Sequence, residues 1–238
     1  MGKMVSIFDV FLLYKGKQEK ACIGVCTYTK ESNLLEDVVP NLHPFEIKYL
    51  EKIRVEKRRN DYLMGRCAAK HAVMKLKNLS CQTDFYITNG FFRQPIVYGQ
   101  DVQVSLSHTE GVGVAVAFSK ECIIGIDIEV VKKDNNDILQ RVFTDHEKEI
   151  VKSFGLKQSI ISTMIWSLKE AMSKALRIGF TTSPKLFEVY SMKEEDNCFF
   201  CKFTNFTQFQ ARTYVKQNKV FALVYPFQTE LQIEAITE

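Results

Sequence analysis

Twice along this chain, a stretch with helical spacing is followed by a run of short segments rich in β-branched and aromatic residues. In the first block Glu46–Val55 and Asn60–Leu76 repeat their apolar residues every three or four positions. In the second of these Leu63, Cys67, Ala68, His71 and Ala72 share one face. Phe85–Thr88, Ile96–Tyr98, Val102–Ser107, Val112–Phe118 and Cys122–Val130 then read as strands. The order returns with helices at Asp145–Phe154 and Lys157–Ile178, then strands near Leu186–Met192, Cys198–Phe203, Phe209–Val215 and Val220–Tyr225. Ahead of both blocks, Val5–Leu13 and Cys22–Tyr28 read as a hairpin. Two similar blocks of helices followed by strands predict an α+β protein of two like-sized lobes, residues 1–119 and 120–238. The charged, Asn-rich segment Lys132–Asp137 reads as a loop.

Composition narrows the functional classes. Lys and Arg exceed Asp and Glu by only 32 to 28, too small an excess for a dedicated nucleic-acid binder, though it leaves room for a local basic patch. A membrane-crossing helix needs about 20 apolar residues. The longest apolar runs, Val112–Phe118 and Cys122–Ile128, are strand-length. The first residues lack the basic and apolar pattern of a secretion signal. Met1–Ser6 fits the loose N-myristoylation pattern, but Val5–Leu13 reads as a strand instead. The 7 cysteines sit in apolar surroundings, as buried thiols of a cytoplasmic protein do. Cys198 and Cys201 form a CxxC, yet on a strand residues three apart point to opposite faces and cannot share a metal.

Four groups of residues carry possible chemistry. In Gly125-Ile126-Asp127-Ile128-Glu129 the two carboxylates share one strand face, roughly 6–7 Å apart. They either form a solvated acidic face or, near a core, require a cation; hard oxygen ligands suit Mg²⁺. On the helix Lys157–Ile178 the apolar residues from Ile160 to Leu176 occupy a broad arc. Glu170, Lys174 and Arg177 lie opposite, with Trp166 one turn before Glu170. Glu170 and Lys174 form either a surface i,i+4 ion pair or a reactive pair. Ser105–Gly111 ends a strand with Ser107 and His108 adjacent, without the elbow of a hydrolase. Its hydroxyl and imidazole suit either turn chemistry or hydrogen bonds to a phosphate. Finally Arg54, Lys57, Arg58, Arg59, Arg66 and Lys70 gather around the start of one helix, and Arg93 sits in the turn Asn89–Pro95. Arginines so clustered suit phosphates, although each alone reads as a solvated helix face. Neither a Walker A motif nor a GxGxxG is present.

Taken in order, these strings resemble a known family. Gly65-Arg66, Arg93-Gln94-Pro95, Ser107-His108, Gly125-Ile126-Asp127-Ile128-Glu129, Phe143-Thr144-Asp145 with Glu147, and the run from Trp166 to Ala175 are similar to the motifs of the 4′-phosphopantetheinyl transferases. The likeness is to their Sfp-like, pseudo-dimeric group, and it runs from about Arg58 to Val189. It implies two α+β lobes related by a pseudo-twofold axis, with the active site between them. It implies transfer of the phosphopantetheine arm of coenzyme A to a serine of an apo acyl or peptidyl carrier protein, leaving 3′,5′-ADP. By position Asp127, Glu129 and Glu170 would hold Mg²⁺. Glu170 would also be the base, and Lys174 would stabilise the departing phosphate. Ser107 and His108, with Arg58, Arg66, Arg93 and Lys174, would hold coenzyme A, and the resemblance counts His108 with Glu170 and Lys174 as catalytic. Many members carry a Lys or Arg where this chain has Gln94; Arg93 stands one residue earlier. The carrier would dock near Ile138–Phe143, with Ile138 and Phe143 as apolar contacts. A monomer is expected, and no nucleic-acid or membrane partner. Two rival readings stand beside this one: a non-catalytic coenzyme A- or carrier-binding module of the same fold, and a metal-dependent phosphoesterase that hydrolyses coenzyme A without an acceptor.

Overall fold

The computed structural model describes residues 5–29, 33–132, 141–195 and 198–235. Two compact units emerge, Met1–Cys122 with Gln228–Glu238, and Ile123–Phe227. The repeat of helices and strands predicts a second lobe running to residue 238; in the structure the last strand belongs to the first unit.

In the first unit β1 (Val5–Tyr14) and β2 (Lys17–Thr27) form the expected hairpin. Its two-residue turn, Lys15-Gly16, has positive φ at both positions, the conformation that matches the twist of paired strands. A short α1 (Leu34–Val38) and α2 (Pro44–Leu50) precede the long α3 (Glu56–Lys77). Strands β3 (Tyr86–Asn89) and β4 (Pro95–Tyr98) pair with each other. β5 (Gln103–Thr109) and β6 (Val112–Phe118) join an antiparallel sheet of order β12-β1-β2-β6-β5, where β12 is Glu230–Ala235. Against this sheet α3 packs Leu63, Cys67, Ala68 and Ala72, all buried.

The second unit repeats the plan. β7 (Gly125–Val130) comes before α4 (Asp145–Ser153) and the long α5 (Gln158–Ala175). β8 (Val189–Glu195), β9 (Cys198–Phe203), β10 (Phe209–Lys216) and β11 (Lys219–Pro226) follow, in a sheet of order β7-β11-β10-β9-β8. In both units the strand preceding the helices pairs with the last strand of its block, β2 with β6 and β7 with β11. The core of this unit gathers Ile161, Ile165, Leu168 and Met172 of α5 with strand residues such as Phe199 and Ala222. Phe143 lies in the same core at 0% exposure. The sequence reading offered it as a carrier contact; an apolar ring so enclosed stabilises the unit instead. Ile138 falls outside the described residues.

Each unit also closes its long helix with the same buried device. The glutamate at the third position of the preceding short helix, Glu46 or Glu147, accepts the N–H of that helix's own cap, from His43 or Thr144. It also accepts the N–H of Ile87 or Val189, in the strand that follows the long helix. A lysine of the long helix completes it: Lys70 lies 2.9 Å from Glu46, and Lys169 lies 2.7 Å from Glu147. Both ammonium groups also donate to carbonyls, Lys70 to Gln82 and Phe85, Lys169 to Pro184. Burial holds both lysine pKa values below their ordinary value, despite the pull of the glutamates. Lys70 is therefore no member of a solvated basic cluster, as its sequence neighbourhood had suggested.

Candidate active site

Asp127 and Glu129 project from one face of β7, as alternation requires. Gly125, two residues earlier on the same face, lets α5 come close: a Cβ there would overlap the Ala171 carbonyl oxygen and meet Ala175. This approach brings helix side chains to the carboxylates. The Ser167 hydroxyl donates to Asp127 Oδ2 at 2.8 Å, and the Lys174 ammonium donates to Asp127 Oδ1 at 2.5 Å. The Trp166 indole N–H donates to Glu129 Oε1 at 3.2 Å. Trp166 is thus half-buried and oriented, and its ring also packs on Phe180. Glu170 reaches Lys174 at 4.0 Å.

The charge count here is unbalanced: three carboxylates face one ammonium. Asp127 is 1% exposed. Burial, followed by the charge of Asp127, raises the pKa of Glu129, against the indole N–H and Lys174. Burial pushes Glu170 up to about 7; Lys174 opposes the rise, and Asp127 and Glu129 add to it. Among the described residues no three His, Cys, Asp or Glu side chains stand close enough to hold a metal by themselves. The donor set nevertheless suits Mg²⁺ in its common mode, one or two carboxylates completed by substrate phosphate. The oxygens are hard, and a bound cation would offset the surplus negative charge that Lys174 alone leaves.

In the first unit a cleft of about 760 Å³ opens beside the start of α3. Its cations are Lys52, Arg54, Arg58, Arg66 and Arg93, joined by His108. Asp61 stands 3.7 Å from His108 Nδ1. Strand alternation decides between the adjacent pair of β5: Leu106 and His108 line the cleft, whereas Ser107 is buried and does not. The turn before β4 decides between Arg93 and Gln94. The Gln94 amide folds back to accept the Phe92 N–H, while Arg93, at φ 62°, lines the cleft. Lys57 and Arg59 are not among its walls. Tyr62, which the sequence reading passed over, is, and its ring lies under the Arg66 guanidinium at 4.8 Å. The i,i+4 spacing of Tyr62 and Arg66 was the available signal.

The sequence profile of the 4′-phosphopantetheinyl transferase superfamily matches residues 123–224, which contain the whole acidic site. The profile of the 4′-phosphopantetheinyl transferase N-terminal domain matches residues 48–118, which contain most of the basic cleft. The chain belongs to the 4′-phosphopantetheinyl transferase family. Together the two profiles take in most of its length. A search of the curated proteins found no match. Among solved structures, it is similar to a holo-(acyl-carrier-protein) synthase from Bacillus anthracis str. Ames in complex with CoA (3′,5′-ADP). The two share 18% identity over 48% of this chain and 99% of the other, with a TM-score of 0.33. As a phosphopantetheinyl transferase the chain is an enzyme.

Proposed function

We propose that this transferase moves the 4′-phosphopantetheine group of coenzyme A to a serine hydroxyl of an apo acyl or peptidyl carrier protein, in a Mg²⁺-dependent reaction that releases 3′,5′-ADP. The observation that carries the reading is the convergence of Asp127, Glu129, Glu170 and Lys174 on one strand–helix pair.

Asp127, Glu129 and Glu170 would hold the metal together with the diphosphate. The ion, when bound, neutralises phosphate charge and so makes the phosphorus attackable. The serine oxygen forms the new bond to the phosphorus that bears the pantetheine arm, and the bond from that phosphorus to the ADP oxygen breaks. Glu170 takes the serine proton, directly or through a water; a pKa near neutrality suits a proton acceptor. Lys174 stabilises the charge left on the departing phosphate. Asp127 and Ser167 hold Lys174 and the carboxylate in register, which matters because phosphoryl-type transfer depends chiefly on alignment and charge. In the first unit Arg58, Arg66 and Arg93 would bind the cofactor's phosphates. His108, with Asp61 3.7 Å from its Nδ1, would contact the same groups. Ser107 would act only from behind the cleft wall. Among the described residues no helix is long and apolar enough to cross a membrane. The seven free thiols suit a reducing compartment, and we place the enzyme in the cytoplasm as a monomer.

Mass spectrometry of several apo carriers, after incubation with coenzyme A and Mg²⁺, tests the reading. One added phosphopantetheine on a serine supports it, and EDTA should abolish the gain. Loss of coenzyme A without any carrier would instead identify a phosphoesterase. Binding of coenzyme A and carrier with no transfer would identify a non-catalytic module.

A further inference from the structure

Asp127 already has a partner on each of its oxygens, Ser167 on Oδ2 and Lys174 on Oδ1. The two partners differ in kind. Ser167 is neutral and fully buried, and its short side chain has no room to leave. Lys174 is charged, and its side chain is 25% exposed. It reaches Oδ1 on a flexible four-carbon stem from the last turn of α5. Solvent therefore meets Asp127, itself 1% exposed, from the Lys174 side. Glu170 Oε2 stands 4.0 Å from the same ammonium, close enough to attract it but too far for a hydrogen bond.

An ammonium and a divalent cation are alike in charge and seek the same oxygen. Side by side on one carboxylate they repel. A cation that takes Asp127 as a ligand from the solvent side must therefore displace Lys174, whereas Ser167, on the other oxygen, keeps the carboxylate oriented throughout. Once displaced, the ammonium needs another anion. Glu170, one turn back on α5, is a ligand to the same cation in the transfer reading. The anion left within reach is the phosphate that accompanies the cation.

We propose that Lys174 and a divalent cation exchange on Asp127: the ammonium guards Oδ1 until the cation enters, and that entry releases the lysine to the substrate's phosphate. The exchange deepens the transfer reading and rests on it for the metal and the phosphate. It orders the site, because the lysine becomes available to the departing group only after the cation is in place. Before that, the ion pair parks the lysine beside the position where it will act.

The test uses the full chain with Mg²⁺ alone, then with coenzyme A, and no carrier. Two side chains report separately by NMR. Trp166 is the one tryptophan of the chain, and its indole N–H, bonded to Glu129, senses a cation at the acidic site. The Lys174 Cε–Hε signal, assigned by its loss in Lys174→Met, senses the ammonium. Mg²⁺ should move both signals with a single midpoint, and K⁺ at equal ionic strength should move neither. Coenzyme A added to the Mg²⁺-loaded protein should shift the Lys174 signal a second time. Lys174→Met removes the competitor and should bind Mg²⁺ at least about tenfold more tightly, the worth of one charge-assisted hydrogen bond. Lys174→Gln, neutral but still able to donate to Asp127, should also bind Mg²⁺ more tightly, and it serves if the methionine variant does not fold. If Mg²⁺ moves Trp166 alone and the variants keep wild-type affinity, the exchange is refuted and the metal reading stands. Weaker Mg²⁺ binding in the variants would show that the lysine assists the cation, which also refutes the exchange. Two silent signals would refute the exchange and the metal reading together. Exchange in a protein that modifies no carrier would refute the transfer reading and leave the exchange standing.

Discussion

Asp127 makes the most demanding use of its surroundings, since its two oxygens face Ser167 and Lys174 while it sits in a pocket already rich in negative charge. Asp127→Ala should lower transfer by about a thousandfold or more, the scale of removing a preorganised charged group from such a centre. It should also cost about 1–3 kcal/mol of stability, because the buried Ser167 hydroxyl loses its acceptor. Wild-type turnover with Mg²⁺ in that variant would remove Asp127 from the reaction. Glu170 gives a second handle. Its carboxyl titrates near 7 when folded against 4.5 when free, so between those values the native state holds the extra proton. Its stabilising contribution is therefore full below about pH 4.5 and is lost as pH rises through about 7. At about 1.4 kcal/mol per unit, the loss is about 3 kcal/mol. Metal-free wild type should thus lose stability from pH 5 to 8 more steeply than Glu170→Gln, as read by denaturant melts at each pH. Parallel curves would show that Glu170 is not the titrating group. In catalysis the same variant should reduce kcat far more than affinity for coenzyme A. These acids were legible in the sequence, because alternation alone puts Asp127 and Glu129 on one face. The Lys174–Asp127 pair was not, since strand-to-helix distance is set by packing at Gly125. Phe143 was misread for the same reason: sequence marks a residue as apolar but does not say which side of it is covered.

At the scale of elements, the site depends on how closely α5 lies on β7. Gly125→Ala would place a methyl group against the Ala171 carbonyl and Ala175, and neither neighbour can yield without moving the helix. The cost should be about 2–3 kcal/mol by overpacking, with activity falling further as Lys174 leaves Asp127. A variant with unchanged melting and turnover would mean that the helix has more room than the structure gives it. The Glu147–Lys169 pair, at 0% side-chain exposure on both partners, fixes the same helix from its other side. Lys169→Met alone should destabilise by about 3–5 kcal/mol, because it strands a buried carboxylate. The double change with Glu147→Gln should recover a large part of that loss. A double-mutant cycle with no coupling would refute the pairing. The long helices and most strands could be read from the chain, because their periodicity extends over several turns or a whole sheet face. Helix α1, five residues long, is too short to show a period. Strand β12, Glu230–Ala235, alternates polar and apolar residues but is only six long, and its partner β1 is more than 200 residues away; local pattern does not say which strand it joins.

For the whole molecule, that distant pairing means that the first unit is built from both ends of the chain. β12 runs antiparallel to β1 from Leu13↔Glu230 to Phe8↔Ala235, and Leu231 is buried there at 3% exposure. Removing residues 228–238 would leave β1 as an unpaired edge and expose the side chains that Leu231 covers. The burial of one leucine is worth about 1.5–3 kcal/mol, and a lost ladder of hydrogen bonds adds to the damage. Hydrogen exchange separates this local effect from general unfolding. Amides of β1 should lose protection in the truncated protein, while those of β7 and β11, in the other unit, should exchange as in wild type. The basic cleft stands on α3 and β5 of the weakened unit, so affinity for coenzyme A should fall with the protection of β1. Unchanged protection of β1 would show that the terminal strand adds nothing to the first unit. Equal loss in β7 and β11 would show that the two units unfold as one.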